Sequence, residues 1–198
     1  GGDGLCEVGV LGQEAIAGVD GLGAGLLCGG QRTSCSRDQT GKGCGVTVIA
    51  ETCALCHTPG GELLWQDDVC RVVRVLENEG QDYPGFCRVI WRDHVREMTD
   101  LSPKARGHLM QVVFATESAV REAFRPDKIN LASLGNLTPH LHWHVIPRWR
   151  EDTCFPSPIW ANSRRPSMMS GRVPEVSLSA LKHHLVRHLA ELHQEQRT

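Results

Sequence analysis

Residues 51–198 predict an α+β fold, a five-stranded, mostly antiparallel sheet with a long helix and a C-terminal helix, on the strength of three patterns. Five short runs rich in β-branched and aromatic residues lie at 62–66, 69–76, 86–91, 129–133 and 141–147. A capped apolar stripe separates the third run from the fourth, and a leucine stripe follows the fifth. This stretch is long enough to enclose one hydrophobic core.

The long helix opens at Ser102, an N-cap type, followed by Pro103, whose fixed φ suits a first helical turn. Leu109, Val112, Val113, Val120 and Phe124 then fall on one helical face, and Pro126 stops the helix. Near the end, Leu178, Leu181, Leu185, Leu189 and Leu192 recur at three- and four-residue spacing, a stripe for core or dimer packing.

The first fifty residues differ in kind. They hold fourteen of the 21 glycines and no Phe, Trp or Tyr, so 1–50 is expected to be a glycine-rich, disordered extension. It lacks a basic segment followed by a continuous apolar one, so no signal peptide is expected, and no apolar window is long enough to span a membrane. The first methionine is Met98, so residue 1 does not read as an ordinary initiator. A net charge of −2, from 21 basic and 23 acidic residues, gives no polycationic field, and general nucleic-acid binding is not expected. Nine cysteines, an odd number, four of them within the first fifty residues, suggest a reducing, cytoplasmic setting rather than a disulfide scaffold. Cys70, Cys87 and Cys154 then read as small buried hydrophobes.

The chemistry concentrates in Thr138-Pro-His140-Leu-His142-Trp-His144-Val-Ile-Pro-Arg148. On a strand, His140, His142 and His144 share one face, and Leu141, Trp143 and Val145 share the other. Alternate side chains start about 6.6 Å apart, so the outer two histidines stand about 13 Å from each other along a straight strand. Such a row does not converge on one metal ion. It suits a division of labour in which His142 and His144 address one substrate group and His140 faces elsewhere.

A partner for His140 lies upstream. Cys53-Ala-Leu-Cys56 is a C-x-x-C pair, and His94 follows the third β-rich run, so Cys53, Cys56, His94 and His140 would form a Cys₂His₂ set of the kind zinc accepts. The alternative is that the two are ordinary free cysteines. Cys53 to His57 also fits C-x-x-C-H, the attachment motif of c-type haem, which would imply an electron carrier. The other histidines, His108, His183, His184, His188 and His193, read as solvated or structural.

The run from Asn130 through Gly135-Asn136 to the three histidines and Arg148 resembles the signature of the histidine triad (HIT) family of nucleotide hydrolases and transferases. It is most similar to bacterial members labelled diadenosine polyphosphate hydrolases, and the likeness includes Phe155-Pro-Ser-Pro-Ile-Trp160 and covers about 51–160. The resemblance implies a HIT-like fold and a homodimer. It also implies a two-step transfer in which His142 attacks the α-phosphate of a nucleotide, giving a covalent nucleotidyl-histidine that water cleaves. His144, Asn130 and Asn136 would contact the phosphate oxygens. Related transferases carry a structural zinc on residues matching Cys53, Cys56, His94 and His140.

Two positions depart from the family pattern. Val75 stands where the adenosine-binding branch has an Asp for the ribose hydroxyls, and Leu137 stands where a Ser or Thr is common. A module that binds nucleotides without turning them over is therefore the alternative within the same family. Arg148, Arg150, Arg164 and Arg165 are candidates to meet a polyphosphate, or else a solvated loop surface.

Overall fold

The computed structural model describes residues 27–28, 31–36, 45–166 and 173–195, with side chains described from residue 49 onward except at 193 and 195. Most of the glycine-rich extension lies outside the described residues. Within it, β1 (Leu27–Cys28), β2 (Gln31–Ser36) and β3 (Gly45–Ala50) form a small antiparallel sheet, which the sequence does not predict. The run Val46-Thr-Val-Ile49 in β3 has the β-branched character that favours such pairing.

A four-residue helix, α1 (Ala54–His57), follows, and then the main sheet begins with β4 (Glu62–Gln66) and β5 (Cys70–Arg74). A short α2 (Glu79–Asp82) leads into β6 (Cys87–Trp91). A 3₁₀ turn at Met98–Asp100 precedes α3 (Pro103–Phe124), and β7 (Lys128–Ala132), β8 (His142–Arg148) and α4 (Leu178–Glu195) complete the chain. The five strands lie in the order β4-β5-β6-β8-β7, every neighbouring pair antiparallel. The predicted α+β class and its strand count thus agree with the structure, and β8, which carries His142 and His144 with His140 just before it, is held between two other strands.

Sequence chemistry accounts for the elements. The Ser102 hydroxyl accepts from the Ala105 N–H at 3.2 Å, with Pro103 at the first helical position, so α3 starts where the cap pattern puts it. Its end is Arg125 in the left-handed conformation, one residue before Pro126. The predicted stripe on α3 is buried throughout and packs with Leu141, Trp143 and Val145 of the triad segment in the main core. Leu181, Leu185 and Leu189 of α4 join the same core, so this leucine stripe packs within the chain.

A smaller cluster of Val75, Tyr83, Phe86, Ile146 and Ile159 fills one end of the opposite sheet face. Gly85, at φ +89, makes this corner possible. A Cβ there would come within 2.6 Å of the Phe124 ring, so the turn before β6 has room only for glycine. Among the described residues, no helix is long and apolar enough to cross a membrane.

Candidate active site and metal centre

The antiparallel register of β6 and β8 sets Arg88 opposite His144 and Ile90 opposite His142, and directly opposed residues point to the same side of a sheet. This face, away from α3, forms the floor of a cleft of about 610 Å³. Thr58, Gly60, Asn136, Thr138, His142 and His144 line it, with apolar walls from Leu55, Leu134, Leu137 and Trp160. Its volume is that of a small-ligand site, and the mixture of apolar walls and few polar groups is typical of one.

The two histidines are shielded but reach the cleft wall, His142 at 7% exposure and His144 at 6%. Their rings sit 4.7 Å apart, nearly perpendicular, and Trp160 meets the His144 ring edge-on at 5.2 Å. His142 Nδ1 lies 2.6 Å from the His140 carbonyl. A carbonyl only accepts, so Nδ1 carries the proton and Nε2 holds the free lone pair. Burial is the main reason that both imidazoles are shifted toward the neutral form. His144 is pushed down to about 3 by burial, then by His142 and the Arg88 charge. His142 is lowered by burial and by Arg88, against the opposing hydrogen bond to His140. His144 Nδ1 is buried with no hydrogen-bond partner among the described residues.

His140 turns away from the cleft. Its Nε2–H donates to the Trp91 carbonyl at 2.6 Å, which leaves Nδ1 as the lone-pair nitrogen. Nδ1 faces Cys53 Sγ at 3.4 Å and Cys56 Sγ at 3.5 Å, and Cys56 Sγ lies 3.4 Å from His94 Nδ1. All four ligand atoms lie within 4.8 Å of one another, so this set could hold a metal ion. A tetrahedral site with Zn–S near 2.3 Å and Zn–N near 2.0 Å has S···N edges of about 3.5 Å, and the observed spacings fit. Burial raises the Cys56 thiol and lowers the His94 imidazole, while His140 falls to about 4, so without a cation these three donors favour their neutral forms. The sulfurs thus converge on two imidazoles, whereas His57, the histidine of the haem-like motif, bonds the Ala50 carbonyl at 3.1 Å.

A second group, Asp67, Cys70 and His108, is also close enough to ligate a metal. Its geometry is that of a side-chain hydrogen bond. His108 Nε2 lies 2.6 Å from Asp67 Oδ2, while Asp67 Oδ1 accepts from the backbone of Val69 and Cys70.

Several expected contacts fall elsewhere. Asn130 does not line the cleft, because its Oδ1 accepts from Arg148 Nη1 at 2.7 Å. Arg148, 1% exposed, is no polyphosphate ligand either: its Nε and Nη2 bond both carboxylate oxygens of Asp152, at 2.7 and 3.0 Å. Arg150 sits 3.9 Å from Asp127, Arg165 bonds the carbonyls of Arg150 and Phe155, and neither they nor Arg164 line the cleft. The basic residue that does line it is Arg88, which the sequence reading missed. The available signal was the alternation of Cys87-Arg-Val89, which puts a charge on the face opposite the core-facing residues of that strand. Val75 is buried in the smaller apolar cluster, whereas Leu137 is fully exposed at the cleft rim.

Comparison with known proteins agrees with this arrangement. Residues 62–151 match the HIT domain. An AP-4-A phosphorylase of Mycobacterium tuberculosis is 28% identical over 92 residues, 43% of this chain and 47% of that protein, so the chain's match spans about half the length of this curated relative. A histidine triad protein of Marinobacter aquaeolei VT8 is similar in structure, with TM-score 0.51 at 26% identity over 68% of this chain and 92% of the other. A histidine triad protein of Sinorhizobium meliloti 1021 shares the fold at TM-score 0.51 and 20% identity, over 66% and 90% of the two chains. The domain match, the antiparallel five-stranded sheet and the alternating histidines on a central strand together mark residues 62–151 as a HIT domain.

Proposed function

We propose that the cleft catalyses nucleotidyl transfer, cleaving a nucleotide phosphoanhydride, phosphoester or phosphoramidate through a covalent adduct on His142. The observation that carries this reading is the fixed tautomer of His142, with Nδ1–H on the His140 carbonyl and the Nε2 lone pair left for attack. In the first step that lone pair forms a bond to the α-phosphorus, and the bond to the leaving group breaks, the leaving group taking its electron pair. The Nδ1–H bond disperses the positive charge that the ring gains. In the second step water attacks the same phosphorus, the P–N bond breaks, water loses a proton, and a nucleoside monophosphate departs with neutral His142 restored.

His144 and Asn136 are suited to contact the phosphoryl oxygens from the cleft wall, and Trp160 and Leu134 to bury the flat face of a base. Dinucleoside polyphosphates are the first substrates to test, because the mycobacterial relative is named for AP-4-A. The set of Cys53, Cys56, His94 and His140 is read as a zinc site. Bound there, the ion would act structurally, since four protein ligands leave no open position. Free thiols at Cys70, Cys87 and Cys154 suit a reducing, cytoplasmic setting. A homodimer is part of the same reading, and sedimentation equilibrium reports it directly.

Turnover of a dinucleoside polyphosphate and of an adenosine 5′-phosphoramidate is the test. His142→Ala should lower kcat by ~10³-fold or more, as loss of a nucleophile does. Absence of turnover in the wild-type chain, with nucleotide binding retained, would leave a binding module in place of an enzyme.

A further inference from the structure

A cleft that handles phosphate needs positive charge to meet it. Among the described residues lining it, Arg88 is the only basic side chain besides the two histidines, and Glu79 the only carboxylate. Arg88 stands on β6 directly opposite His144, so its guanidinium shares the floor of the cleft with the triad. It is half-buried and lies over the Phe86 ring, 5.5 Å from the centroid, which limits how far it can swing.

A guanidinium has five N–H donors. Among the described residues Arg88 uses Nη1 in one long hydrogen bond, 3.3 Å to the Gly60 carbonyl, while Nε is shielded and unpartnered. Arg148 shows what a satisfied guanidinium looks like in the same protein, with bonds to Asp152, Asn130 and the Ser157 carbonyl. Arg88 is therefore a cation partly removed from water, positioned by its strand, and short of acceptors. An anion entering the cleft would supply them in the planar, paired geometry that guanidinium and phosphate share.

We propose that Arg88 is the anion-binding residue of the cleft, donating charge-assisted hydrogen bonds to the non-bridging oxygens of a phosphoryl group seated beside His144. The assignment rests on the nucleotidyl-transfer reading for its ligand class. Arg88 would supply a fixed positive charge there, during binding and as charge builds on oxygen in the transition state.

Calorimetric titration of the full chain with adenosine 5′-monophosphate, with inorganic phosphate, and with uncharged adenosine as control tests the proposal. Arg88→Gln should weaken the two anions by ~10- to 100-fold, the scale of charged hydrogen bonds, and leave adenosine unchanged. Arg88→Lys, which keeps the charge but not the fork, should fall between, and it serves as the decisive variant if Arg88→Gln does not fold. Equal anion binding in wild type and variants, or no anion binding by wild type, overturns the assignment. Parallel turnover assays separate this from the wider reading. Arg88-dependent anion binding without turnover removes the enzyme and keeps the anion site, whereas turnover unaffected by Arg88→Gln does the reverse.

Discussion

His140 serves four partners at once. Its Nε2 is tied to Trp91, its Nδ1 faces two sulfurs, and its carbonyl orients His142. A side chain and a backbone atom of one residue thus connect the candidate metal set to the proposed nucleophile. Asp152 has a comparable role at the far end of β8. It is fully buried, pairs with Arg148 and accepts from the backbone N–H groups of Trp149, Cys154 and Phe155. Burial alone would raise its carboxyl, but the bonds from Arg148 and the backbone outweigh it and hold it below the usual carboxylate range. With the folded pKa depressed, the stabilisation is complete above the unfolded value of about 3.9 and is lost as pH falls through the folded one. Acid unfolding followed by circular dichroism should therefore show a cooperative loss below about pH 4. Asp152→Asn should cost ~3–5 kcal/mol at neutral pH, since it leaves Arg148 buried without its counter-charge. A variant as stable as wild type would show that Arg148 finds another partner.

Helix α1 and helix α4 illustrate two ways in which an element is held. Helix α1 is four residues long, too short to be stable by itself, and its Leu55 packs with Cys53, Val73 and Ile90 in a small cluster. A metal on Cys53 and Cys56 would fix it to β8 through His140. Removing that metal with a chelator should lower Tm by at least about 5 °C, or ~2 kcal/mol at this size, and speed amide exchange around residues 53–57. No change in either measurement would mean that the four ligands fold without an ion. Helix α4, by contrast, depends on Leu181, Leu185 and Leu189 in the main core, and Leu185→Ala should cost ~2–5 kcal/mol in denaturant unfolding. The long, periodic elements were legible in advance: the 62–66 strand has its predicted bounds, and β8 lies within one residue of its predicted span. Helices α1 and α2 were not, because four residues show no period. The metal set was legible from ligand types, whereas the partnership of Asn130 with Arg148 and the position of Arg88 beside His144 arise only from strand pairing across distant sequence.

At the scale of the molecule, one sheet separates two environments. Its α3 face buries Leu141, Trp143 and Val145 in the core, and its other face presents His142 and His144 to a cleft of about 610 Å³. The two-residue period of one strand is enough to place packing and chemistry on opposite sides. The curated relative in Mycobacterium tuberculosis is matched over 92 residues, about half its length. The proposed chemistry comes down to whether the imidazole at position 142 bonds to phosphorus. Rapid quenching of the full chain with a dinucleoside polyphosphate, followed by intact-mass and peptide mass spectrometry, measures it directly. The expected result is an adduct of one nucleoside monophosphate less water, located at His142 and absent from His142→Ala. Turnover that proceeds with no such adduct, or equally well in His142→Ala, would contradict it.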